Sequence, residues 1–188
     1  MSAASILSVS GSVQEWPEGF SQSLPNDAWL VLHSYPKQEK RLIWDLRVRG
    51  FASCTFFERR VRHYRGKGRQ TSLVPLLGGY VFVPARCEDK AELFATHRVV
   101  RILDVVQPAA LARDLTALCR LVNATDLPLM VRPEIIAGTL IDIRYGTFAG
   151  CSGVVVRRQN RLELVVNLGM LGTSVSVTLP AELAQLAS

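Results

Sequence analysis

Apolar and polar positions along the chain alternate between short strand-like runs and longer helical spacings. Trp29-Leu-Val-Leu-His33 is a compact apolar run that predicts a buried strand. From Lys37 to Val48, Leu42, Ile43 and Leu46 fall at helical spacing until Gly50 ends the pattern. Ala52 to Val61 is aromatic and β-branched, as a strand requires, and Gly78-Gly-Tyr-Val-Phe-Val83 predicts another, closed by Pro84. A helix over Glu88 to Thr96, a strand over Val99 to Val106 and a helix over Pro108 to Val122 follow. Pro108 suits a first helical turn, and Leu111, Leu115 and Leu118 line one face of the last helix.

The resulting order of strand, helix, strand, strand, helix, strand, helix predicts an α+β fold, with helices packed on an antiparallel sheet. After Pro128 and Pro133 the pattern changes to short strands only: Thr139 to Arg144, Gly153 to Arg158, Leu162 to Asn167 and Ser174 to Leu179. That spacing predicts a small β-barrel. Met1 to Asp27, rich in Ser and broken by Pro17, Gly19 and Pro25, has no sustained period and reads as a flexible leader. The expected organisation is a leader over 1–28, a first domain over 29–123, a linker over 124–133 and a barrel over 134–188.

Composition narrows the function classes. No run approaches the roughly 20 apolar residues of a membrane-spanning helix, and the N-terminal segment lacks a secretory pattern, so a cytoplasmic monomer without membrane contact is expected. Cys54, Cys87, Cys119 and Cys151 form no CxxC pair and have no interleaved histidines, so neither a metal site nor a cofactor is expected. His33, His63 and His97 with Cys54 are the nearest approach to a nucleophile and base. No strained nucleophile turn, phosphate loop or carboxylate pair accompanies them, and no enzymatic activity is expected.

The net charge of +6 is uneven. The leader carries Glu15, Glu18 and Asp27 and no cation, whereas Trp29 to Asn123 holds 17 basic against 8 acidic residues. Such a middle segment suits a polyanion or an acidic protein. Its densest part, Arg59, Arg60, Arg62, Arg65, Lys67 and Arg69, reads as a glycine-punctuated hairpin tip. That tip is either a phosphate contact or a solvated surface.

Three segments in order resemble the NusG family of transcription elongation and antitermination factors: Trp29 to His33 followed by Glu39, Pro75-Leu-Leu-Gly-Gly-Tyr-Val-Phe-Val83, and Gly146-Thr-Phe-Ala-Gly-Cys-Ser-Gly153, which looks like the KOW signature. The resemblance implies an N-terminal NGN-like domain joined to an SH3-like KOW barrel. It also implies that His33, Leu77, Tyr80, Phe82 and Ile102 face RNA polymerase. In a specialised RfaH-like branch, Tyr35, Lys37, Arg41 and Arg98 would meet the non-template DNA strand. The barrel would meet a ribosomal protein or Rho through Phe148, Met170 and Leu171. The alternative for each apolar residue is ordinary core, and for Phe148 a barrel plug. Leu77 and Gly78 replace the family's usual Phe and Pro, and Thr147 its KOW proline. A KOW-bearing RNA- or ribosome-associated protein is the second reading.

Overall fold

The computed structural model describes residues 6–64, 68–135, 138–158 and 161–179, with the backbone alone given for 6–11, 62–64, 68 and 69. In chain order its elements are β1 (Ile6–Trp16), a 3-10 turn (Phe20–Gln22), β2 (Leu30–Ser34), α1 (Glu39–Val48), β3 (Ser53–Tyr64), β4 (Gly68–Pro75) and β5 (Tyr80–Val83). Then come a 3-10 turn (Cys87–Asp89), α2 (Lys90–Phe94), β6 (Val99–Asp104), α3 (Pro108–Ala124), β7 (Met130–Pro133), β8 (Thr139–Asp142), β9 (Ser152–Arg158), β10 (Arg161–Leu168), a 3-10 turn (Gly169–Leu171) and β11 (Thr173–Thr178). The result is an α+β chain with two antiparallel sheets.

Two compact units divide the residues, one of Val13–Phe57 and Pro75–Thr116, the other of Met1–Ser12, Glu58–Val74 and Ala117–Ser188. Each is built from more than one stretch of the chain.

In the first unit β2 lies between β5 and β6. Leu30 and Leu32 of β2, Val81 and Val83 of β5 and Val99 of β6 are buried in one core with Leu42 and Leu46 of α1 and Leu93 of α2. The period of two on the strands and the four-residue spacing on α1 put these side chains on facing surfaces. α1 stops where Gly50 takes φ 82, with Phe51 N–H donating to the Leu46 carbonyl at 2.9 Å and Gly50 N–H to Arg47 at 3.1 Å. This paired C-terminal closure turns the chain so that Phe51 packs on the same core. On the other face of the sheet Val31, Cys54, Phe56 and Phe82 are also buried, and Phe56 meets Phe82 edge-on at 6.1 Å.

In the second unit β7, β11, β10, β9 and β8 form a five-stranded sheet in that order. Glycines permit its tight corners: Gly146 and Gly150 adopt φ 80 and 82, and Gly150 N–H donates to the Ile143 carbonyl at 2.8 Å. Gly153 has a different reason, because a Cβ there would stand 2.5 Å from the Val165 carbonyl oxygen on the neighbouring strand.

Two expectations change. β1 occupies the segment read as a flexible leader, and both β1 and β4 pair with β3. Leu7, Val9 and Val13 alternate with Ser8, Ser10, Ser12 and Gln14, but Gly11 interrupts the period of two and the Ser, Gly and Pro content of the segment reads as a leader. The expected linker contains β7, whose residues pair with β11 from Met130↔Ser176 to Pro133↔Thr173. Pro133 sits at the end of an edge strand, where the missing N–H is tolerated.

Candidate functional site

The residues of greatest interest lie where β5, β2 and β6 run side by side. Tyr80 is opposite His33 across the β2–β5 pair, and His33 is opposite Arg101 across the β2–β6 pair. Cross-strand partners point to the same face, so the three side chains make one row across three strands. His33 and Tyr80 are half-buried and stack with ring centroids 4.9 Å apart. Arg101 is exposed, and its Nη2 donates to the Tyr80 Oη at 3.5 Å. Among the described residues Arg101 makes no ion pair.

The turn before β5 fixes this ledge. Gly78 and Gly79 take φ 58 and 86, and Tyr80 N–H donates to the Leu77 carbonyl at 3.3 Å. Two successive positive φ angles are available to glycine at little cost. The carbonyl of Gly79 accepts from Ser34 N–H at 3.0 Å and from the Ser34 hydroxyl at 3.1 Å, while the Thr55 hydroxyl donates to the Tyr80 carbonyl at 2.7 Å. A Cβ added to Gly79 would lie 3.2 Å from Ser34 Oγ and 3.5 Å from Glu39 Oε1.

Of the five residues expected to face polymerase, His33 and Tyr80 share this ledge and three do not. Phe82 points to the same face as Tyr80 but is fully covered, at 0% exposure beside equally buried Phe56. Alternation along β5 placed the two rings together correctly, and only tertiary packing decides which is covered. Leu77 is 4% exposed and belongs to the core. Ile102 pairs with Leu32, which puts it on the opposite, helix-bearing face, where it packs against the core. Arg101, which with Arg98 follows the helix expected over Glu88 to Thr96, joins the site only through its register opposite His33, which the sequence alone does not give.

Among the residues expected to meet DNA, Tyr35, Lys37 and Arg41 are exposed, and Lys37 holds φ 65. Arg98 is already engaged: its Nε pairs with Asp45, its Nη1 donates to Gln38 Oε1 at 2.7 Å, and its carbonyl accepts from Tyr35 N–H at 2.9 Å. It ties the loop before α1 to the start of β6 and is not an available cation. In the basic hairpin Arg59 is exposed and Arg60 pairs with Glu58. Arg65 and Lys67, and the side chains of Arg62 and Arg69, lie outside the described residues.

In the second unit Phe148 is fully buried, overturning its expected exposure. Met170 and Leu171 are half-exposed on the 3-10 turn before β11. Among the described residues no cluster of His, Cys, Asp and Glu has the geometry of a metal site, and no helix is long and apolar enough to cross a membrane.

A search of curated proteins found no match. Residues 27–119, just under half of the chain, match the NusG family, described as transcription termination factor nusG. That stretch contains β2, β5 and β6 and so all three ledge side chains. The segment that builds the Tyr80 ledge is therefore the part of the chain that is similar to the NusG family, which supports a NusG-family protein.

Proposed function

We propose that this protein is a transcription elongation or antitermination factor. Its NusG-family domain binds RNA polymerase through the ledge of His33 and Tyr80 and suppresses pausing or termination, while the C-terminal KOW-like barrel recruits a second protein. The observation that carries this reading is the coincidence of the family match over 27–119 with a half-exposed aromatic stack on a well-packed sheet. A partner gains apolar contact with the stack, while Phe82 and Leu77 are buried and have no surface to offer. Tyr35, Lys37 and Arg41 are the exposed groups suited to a single DNA strand, one for base stacking and two for phosphate. Met170 and Leu171 remain the barrel's candidate contacts with a ribosomal protein or Rho. The reading is of a binding protein, not an enzyme.

The test is retention of core RNA polymerase by the immobilised full-length chain. Wild type should retain it, and Tyr80→Ala should weaken retention at least about tenfold without a matching loss of thermal stability. Unchanged retention by a folded Tyr80→Ala protein would remove the docking assignment. Capture of ribosomal RNA with no polymerase subunit would instead favour an RNA- or ribosome-associated role.

A further inference from the structure

We propose that the ledge selects its partner by a carboxylate, received jointly by Arg101 and the Tyr80 hydroxyl. This deepens the docking assignment above and rests on it. Tyr80 Oη accepts a hydrogen bond from Arg101 Nη2 at 3.5 Å, which leaves the phenolic proton free to donate outward. The guanidinium has further N–H groups, and no described carboxylate occupies them: Asp104, the acid nearest in sequence on β6, is paired with Lys90 at 2.7 Å. A phenol O–H and a guanidinium fork thus converge at the end of an apolar stack. That donor set matches the two acceptor oxygens of an aspartate or glutamate side chain.

The stack and the cation play different parts. His33 and Tyr80, with centroids 4.9 Å apart, offer apolar area that any hydrophobic patch would accept. Arg101 adds a requirement, because a partner covering the row without an acid would desolvate an unpaired cation. The partner surface should therefore place an acidic side chain about one residue's breadth from its own apolar contact. A nucleotide would bring a base as well as a phosphate, but His33 and Tyr80 are half-buried and turn ring faces toward each other, which favours side-chain contacts over base stacking. A protein surface is therefore the favoured occupant over a nucleic-acid backbone.

The experiment uses the full-length chain and core RNA polymerase, measuring Kd for Tyr80→Ala, Tyr80→Phe, Arg101→Ala, Arg101→Lys and Arg101→Glu, with thermal unfolding of each. Arg101→Ala and Tyr80→Phe should each weaken binding about five- to tenfold, and the double variant should lose less than the product of the two, since they hold one group. Arg101→Lys should recover only part of the loss, and Arg101→Glu should weaken binding well beyond alanine. Exposed Arg101 would give up only its 3.5 Å hydrogen bond to the Tyr80 hydroxyl, so unfolding should barely move. If Tyr80→Ala abolishes binding while Tyr80→Phe and Arg101→Ala bind as wild type, the carboxylate inference falls and the docking assignment stands. If Tyr80→Ala itself binds normally, both fall. If binding to a dT oligonucleotide, and not to polymerase, is what Arg101→Ala weakens, the cation serves phosphate and the inference is overturned.

Discussion

Tyr80 and Phe148 are both aromatics set beside glycine turns, yet one rim stands open and the other ring is sealed at 0% exposure. The difference lies in what determines the direction of each side chain. Tyr80 opens a strand whose pleat is locked by pairing with β2, so its ring must leave the sheet on the His33 side. Phe148 sits in the turn between Gly146 and Gly150 with no strand partner, so its ring is free to take the direction that removes most apolar area from water. An aromatic lifted onto a turn is thus a poor guide to an exposed contact, whereas one at the first position of a paired strand is oriented by the ladder.

The contrast is broken most directly by Phe148→Ala, which should cost about 3–5 kcal/mol through the cavity it leaves, measured by denaturant unfolding. A loss under about 1 kcal/mol would mean that the ring is no part of the core. Next, Arg132→Ala should cost about 2 kcal/mol. Glu163 is 5% exposed and is held by Arg132 Nη2 at 3.5 Å and the Ser176 hydroxyl at 3.2 Å, so removing the cation strands a covered carboxylate. Stability equal to wild type would show that the serine alone suffices. Tyr80→Ala should cost about 1 kcal/mol or less, keeping the ledge on the binding side of the comparison. A loss like that of Phe148 would move it into the core.

The smallest effect concerns pH. Hydrogen bonds from Lys90 and then the Cys87 thiol hold the Asp104 carboxyl below its ordinary range, and Asp104 in turn raises Lys90. A depressed carboxyl stabilises the fold above its unfolded value, and that contribution disappears as pH falls through its folded value. The melting-temperature difference between wild type and Asp104→Asn should therefore be small at neutral pH and vanish in acid. A difference that grew on acidification would contradict the pairing.

Much of the architecture was legible because it is local. The spacing of Leu42 and Leu46 and the stop at Gly50 define α1, and the apolar runs around Leu32, Val81 and Val165 define strands. What stayed hidden depends on distant partners. Arg98 resembled a free cation until the fold brought Asp45, 53 residues away, against it. Phe82 and Tyr80 are equivalent by alternation, and only the neighbours around Phe56 separate them. β7 hid behind two prolines that also mark linkers.

The Gly78-Gly79 turn has a further thermodynamic consequence. Its backbone hydrogen bonds to Ser34 and Thr55, together with the stack on His33, hold the Tyr80 ring before any partner arrives. Little rotational freedom is left to surrender on association, so complexes through this ring should differ mainly in how long they last.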